Sequence, residues 1–141
     1  MEIFVLSQKS AELYAQDKHK THSAIISITS VGDDLAKIKP SKQNNIDYIC
    51  RVQFDDTDRH TENAITTEQG KSISDFVKII ENSKVPRLIV HCGAGQSRSA
   101  GVAAAIMKYT YGNDLEIFSK PMYHPNMLCY RTVLNALMMD E

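Results

Sequence analysis

The segment RLIVHC-GAGQS-RSAGVAAAIMKYTYG, residues 87–112, constrains the fold more than any other part of the chain. Arg87 to Cys92 is a short, continuous apolar run after Pro86, which suits a strand buried on both faces. Residues 98–111 are apolar on nearly all sides and rich in alanine, the signature of a buried helix. Gly112 supplies its stop. A strand and a helix that both avoid water need layers above and below them. The expected class is therefore α/β, with a central, mostly parallel sheet of four to five strands flanked by helices.

The rest of the chain supplies the partners. Ile3 to Leu6 fits a first strand, and Ser10 to Ala15 one or two helical turns. SAIISITS, residues 23–30, is β-branched and bounded by polar residues, so it reads as a second strand. In IDYICRVQF, residues 46–54, Ile46, Tyr48, Cys50, Val52 and Phe54 alternate along one face of a third. Thr66 and Gln69 have capping-box spacing ahead of Ile73, Phe76, Val77 and Ile80, the apolar face of an amphipathic helix. Asp114 to Ser119 reads as a short helix. Pro125 is expected to open a last one, with Met127, Tyr130, Leu134 and Leu137 facing inward.

At 141 residues the chain is expected to be one domain, 1–141, with a core large enough to need neither disulfide nor metal. A net charge of −1 leaves no electrostatic footprint for nucleic acid or an anionic membrane. No stretch approaches the roughly 20 apolar residues of a membrane span, and MEIFVLSQKS has no signal-peptide pattern. Cys50, Cys92 and Cys129 are too few and odd in number for a disulfide framework, which points to a reducing, cytoplasmic setting. His19, His22 and His124 are scattered and make no metal pattern. No metal or cofactor is expected, and a monomer is.

Chemistry concentrates in the turn between the buried strand and the buried helix. Cys92 ends the strand, the end at which open α/β sheets bind ligands. Gly93 and Gly95 permit a tight turn with exposed amides, and the helix that starts near Arg98 points its positive end at the same place. Amides ringed by one guanidinium make a cup for a tetrahedral dianion, which arginine grips with two parallel bonds. The same field lowers a thiol from about 8.5 to as little as roughly 3.5–7.5. Cys92 is then a thiolate placed for in-line attack on phosphorus, and Ser99 a donor to the sulfur when it leaves. Two nucleotide-binding patterns fail. Arg98 stands where a G-x-G-x-x-G turn needs its third glycine, and Ile65 where a Walker loop ending in GKS (70–72) needs its first.

HCGAGQSRS, residues 91–99, resembles the His-Cys-x5-Arg-Ser signature of the cysteine-based protein tyrosine phosphatases, and most of all their small dual-specificity subgroup. The resemblance implies Cys92 as nucleophile, Arg98 as phosphate ligand and Ser99 as promoter of intermediate breakdown. His91 would support the loop, and Gly93, Ala94, Gly95, Gln96 and Ser97 would supply amides. It also implies a general acid on a loop after an earlier strand. DDTD offers Asp55, Asp56 and Asp58; the family's spacing fits Asp56 best, with Asp58 its main competitor and Asp55 a candidate cap. Pro125 and Asn126 match a Pro-Asn element before the last helix, with Asn126 capping or bracing loops near the site. Cys50 reads as a small core residue, with a backdoor cysteine, as in some relatives, the alternative; Cys129 and Arg131 read as packing and surface.

Three functions remain open on these residues. The first is hydrolysis of phosphotyrosine in proteins, with phosphoserine and phosphothreonine as further substrates. The second is action on RNA 5′ ends or a small phosphorylated metabolite. The third is a phosphosite-binding module with weak turnover. Neutral Gly93, Ala94 and Gln96 stand where lipid phosphatases of this superfamily place lysines, which disfavours polyphosphoinositides.

Overall fold

Four strands pair in parallel in the order β1-β4-β2-β3. They are β1 (Glu2–Ser7), β2 (Ser23–Thr29), β3 (Ile46–Gln53) and β4 (Arg87–Cys92). The computed structural model describes residues 1–139; the last two residues of the expected 1–141 domain lie outside the described residues. β2 and β4 are the inner strands. Every β2 residue is buried, as is β4 from Leu88 onward, so neither segment carries the alternation that a half-exposed strand would show.

The helices are α1 (Gln8–Gln16), α2 (Thr67–Asn82), α3 (Arg98–Tyr111), α4 (Leu115–Phe118) and α5 (Met127–Met139). Ile26, Ile28, Leu88 and Val90 face a core closed by Ile73, Val77 and Ile80 of α2, Val102 to Ile106 of α3, and Val133 and Leu137 of α5. On the opposite face Ile25 and Ile89 meet Ala11 of α1 and Ala36 and Ile38 of the β2–β3 connection. α2 opens on the expected capping box, with Thr66 accepting from the Gln69 amide and Gln69 from the Thr66 amide. α3 ends at Gly112, whose φ of 73° places it in the left-handed region. Among the described residues no helix is long and apolar enough to cross a membrane.

Two expectations about faces change. Ser23 pairs with Ile46 but Ala24 with Tyr48, so Asp47 is an extra residue in β3. A one-residue slip exchanges the faces of a strand. Ile46 accordingly packs with Ile25, Ile38 and Ile89, while Cys50, Val52 and Phe54 pack on the other side of the sheet. In α5 the buried residues are Leu128, Cys129, Val133 and Leu137; Met127 is exposed, and Tyr130 and Leu134 are half-buried. The inward stripe is turned because α5 lies against both α2 and α3. Gly70 and Gly101 let Thr132 and Asn126 approach the backbones of those helices. The helix begins at Met127, with Asn126 at its cap and Pro125 one residue earlier.

Candidate active site

Cys92 closes β4 and Arg98 opens α3, so the turn 93–97 lies at the carboxyl edge of an inner strand. Three of its carbonyls, those of Gly93, Gln96 and Ser97, are turned outward. Gly93 O accepts from the Gln8 amide at 3.1 Å, Gln96 O from the His124 amide at 2.9 Å, and Ser97 O from the amides of Gly101 and Asn126 at 2.9 and 3.0 Å. Carbonyls bound outside leave the N–H groups facing in. Among the described residues, no main-chain acceptor takes the N–H of Gly93, Ala94, Gln96 or Ser97. Gly95 has φ 72°, and a Cβ there would lie 2.6 Å from the Ser7 nitrogen. Only glycine lets the turn lie this close to the end of β1.

The sulfur of Cys92 is buried at the base of the turn, 3.1 Å from the Ser99 hydroxyl. Burial alone pushes a thiol up. Here the Ser99 hydroxyl, the Ser99 and Gly95 amides and the Arg98 guanidinium outweigh it, and the pKa falls below the ordinary 9.0. His91 is fully buried, which lowers its pKa and keeps the ring neutral. The Cys92 carbonyl can only accept, so Nδ1 of His91 carries the proton toward it at 3.2 Å, and Nε2 accepts from the Ser27 hydroxyl at 2.6 Å.

Arg98 is 8% exposed. Its Nη1 donates to the Ser30 hydroxyl at 3.0 Å and to the Phe54 carbonyl at 2.8 Å. Those bonds fix the plane of the guanidinium and leave its other edge free. Nε is buried without a partner, and Nη2 lies beside Gly93, 3.5 Å from where a Cβ would be. A buried, unpaired N–H costs about 1–3 kcal/mol, a cost that an acceptor from outside the protein can relieve at this edge. The acceptor geometry it fits is two oxygens of one anion.

The three acidic candidates separate. Asp55 Oδ1 accepts from the Val31 amide at 3.1 Å, a structural tie to the end of β2. Asp56 Oδ1 accepts from the Ser97 hydroxyl at 2.8 Å and from Asn126 Nδ2 at 2.9 Å, which places its carboxyl over the turn. Asp58 is exposed beyond it. Asn126 also donates to the Thr57 carbonyl at 2.9 Å, and its Oδ1 accepts from the Cys129 amide at 3.0 Å, so one amide side chain caps α5 and braces the acidic loop. Cys129 is buried in the core, with its thiol pushed up to about 12 by burial first and the Asp56 carboxylate second. Cys50 is half-buried in β3 and its thiol too is raised by burial. Arg131 is exposed.

Sequence reasoning missed Ser27, Ser30 and the Phe54 carbonyl, the groups that orient His91 and Arg98. Ser30 and Phe54 each follow directly on a strand, β2 and β3 respectively, at the carboxyl edge where sheets of this kind gather their sites. That rule was a signal for them.

No family model matches the chain, and no curated protein matches it by sequence. Solved structures do. The human tyrosine phosphatase-like serine/threonine/tyrosine-interacting protein aligns over 98% of this chain and 92% of its own, with a TM-score of 0.65 at 18% identity. The chain has the fold of the small cysteine-based phosphatases. Human DUSP28 aligns over 97% of this chain and 92% of its own, with a TM-score of 0.62 at 15% identity. The PTP-2 phosphatase of Cydia pomonella gives 96% and 85%, with a TM-score of 0.65 at 15% identity. The cysteine-phosphatase fold therefore spans nearly the whole chain, and the turn 93–97 sits at the carboxyl edge of its sheet.

Proposed function

We propose that the chain is a phosphomonoester hydrolase that acts on phosphotyrosine in proteins, with phosphoserine and phosphothreonine as further substrates. The observation that carries this reading is the unpaired edge of Arg98, held beside a sulfur whose pKa is lowered. A phosphate dianion completes that edge and the inward amides at once.

The chemistry follows from the positions. The Cys92 thiolate attacks phosphorus; the S–P bond forms as the P–O bond to the substrate breaks. Asp56 in its acid form gives its proton to the departing oxygen. Its Oδ1 already accepts two hydrogen bonds, so the transferable proton belongs on Oδ2. Arg98 and the amides of 93–97 hold the equatorial oxygens throughout. In the second step Asp56 accepts a proton from water, water attacks phosphorus, and the S–P bond breaks. Ser99, 3.1 Å from the sulfur, stabilises it as a thiolate again. A reducing compartment such as the cytoplasm suits such a nucleophile. A module that only held phosphosites would have no use for a carboxyl braced over the cup by Ser97 and Asn126.

The test is turnover of p-nitrophenyl phosphate and a phosphotyrosine peptide in reductant. Cys92→Ser is expected to abolish both. Asp56→Asn is expected to slow release of a poor leaving group by about 10²–10⁴ and nitrophenolate much less. A purified, folded protein that hydrolyses neither substrate, or a Cys92→Ser variant with full activity, refutes the assignment.

A further inference from the structure

A cleft of about 380 Å³ adjoins the anion cup and is not needed to hold phosphate. Asp56 and Ser97 form its boundary with the cup; Thr57, Asp58, His124, Pro125, Asn126 and Met127 line the remainder. Two carboxylates, Asp56 and Asp58, line it beside the imidazole of His124, and neither lysine nor arginine contributes to it. Asp56 is engaged by Ser97 and Asn126. Asp58 has no hydrogen-bond or ion-pair partner among the described residues. Pro125 and the exposed Met127 add an apolar surface beside these carboxylates. The walls are fixed: the His124 amide is tied to Gln96, the Asn126 amide to Ser97, and the Asn126 side chain to the acidic loop.

We infer that this cleft is a specificity subsite for a lysine or arginine flanking the phosphoresidue of a protein substrate, an inference that rests on the phosphatase reading above. The buried, unpaired Arg98 Nε fixes where the phosphate goes. The ester oxygen then lies at Asp56, so the chain that carries it passes the mouth of the cleft. A basic side chain matches the cleft in both its parts. Its aliphatic stem covers Met127 and Pro125, and its head reaches the carboxylate of Asp58. An acidic neighbour, or the next phosphate of an RNA or an inositol polyphosphate, meets two carboxylates and is disfavoured.

The experiment compares kcat/KM of the intact protein for matched phosphotyrosine peptides that carry arginine, glutamine or glutamate on either side of the phosphotyrosine. An exposed charge pair predicts a preference of about two- to fivefold for arginine over glutamine on one side. Glutamate is expected to fall below glutamine on that same side. Asp58→Asn is expected to collapse the arginine-to-glutamate ratio toward unity. Raising ionic strength is expected to do the same in the unsubstituted protein, which provides a readout independent of the variant. Equal kcat/KM for the three peptides, or a preference that survives both Asp58→Asn and high salt, overturns the subsite while leaving the phosphatase reading standing. Preferential turnover of triphosphorylated RNA also overturns it. Absence of turnover even on p-nitrophenyl phosphate removes the reading and the subsite together.

Discussion

At Cys92 two opposing influences meet. Burial disfavours a charged sulfur, and hydrogen bonds from Ser99 and the turn amides, with Arg98 nearby, favour it more. The consequence extends beyond nucleophilicity to stability. A thiol with a folded-state pKa below the unfolded value of 9.0 binds fewer protons folded than unfolded across the interval between the two. Stability therefore rises with pH through that interval. The contribution is complete above 9.0 and is lost as pH falls through the lowered value. Chemical denaturation of the wild-type protein and Cys92→Ser in parallel should give a stability difference that grows with pH up to about 9 and then levels. A difference that does not vary with pH contradicts the balance described for this sulfur.

At the scale of elements, the junction before α5 does the most with the fewest residues. Asn126 caps the helix through Oδ1, braces Asp56 and Thr57 through Nδ2, and anchors the turn through its backbone amide. Serine at this position retains a cap but cannot span to the acidic loop. Asn126→Ser is thus expected to be more stable than Asn126→Ala by about 1 kcal/mol, the worth of a cap. Both variants are expected to lose kcat/KM on a poor leaving group to a similar degree, because both remove one of the two hydrogen bonds that hold Asp56. Thermal denaturation and steady-state kinetics on the pair separate the two roles. Recovery of activity in the serine variant would assign the effect to the helix rather than to the acid loop.

For the molecule as a whole, the buried face of α3 sets how closely the helices can stack on the sheet. Ala103, Ala104 and Ala105 have no exposed surface, and α3 contacts β1, β4, α4 and α5. Small residues keep α3 near the sheet, and that proximity keeps Arg98 within reach of Ser30 and Phe54. Ala104→Leu adds volume where none is free and is expected to cost about 1–3 kcal/mol, read as a lower denaturation midpoint. Cys92 and Arg98 ride on neighbouring elements, β4 and α3. The same substitution is accordingly expected to weaken binding of an oxyanion such as vanadate.

What was legible in the chain was what is local. β4, the turn and α3 follow one another without interruption, so the apolar run, the glycines, Cys92 and Arg98 announce one another within a few residues. The capping box at Thr66 and the stop at Gly112 are local for the same reason, being hydrogen bonds between near neighbours. The face of Ile46 was not legible, because an extra residue in a ladder depends on the partner strand. Nor was the inward stripe of α5, which is set by two other helices. The acidic candidates Asp55, Asp56 and Asp58 are indistinguishable by type and almost by position. Tertiary structure separates them by placing Asp56 against Ser97 and Asn126, 41 and 70 residues away. A chain carries its short-range geometry in its own spacing. The meeting of distant side chains is decided only when the sheet, the helices and the loops between them settle into one packing.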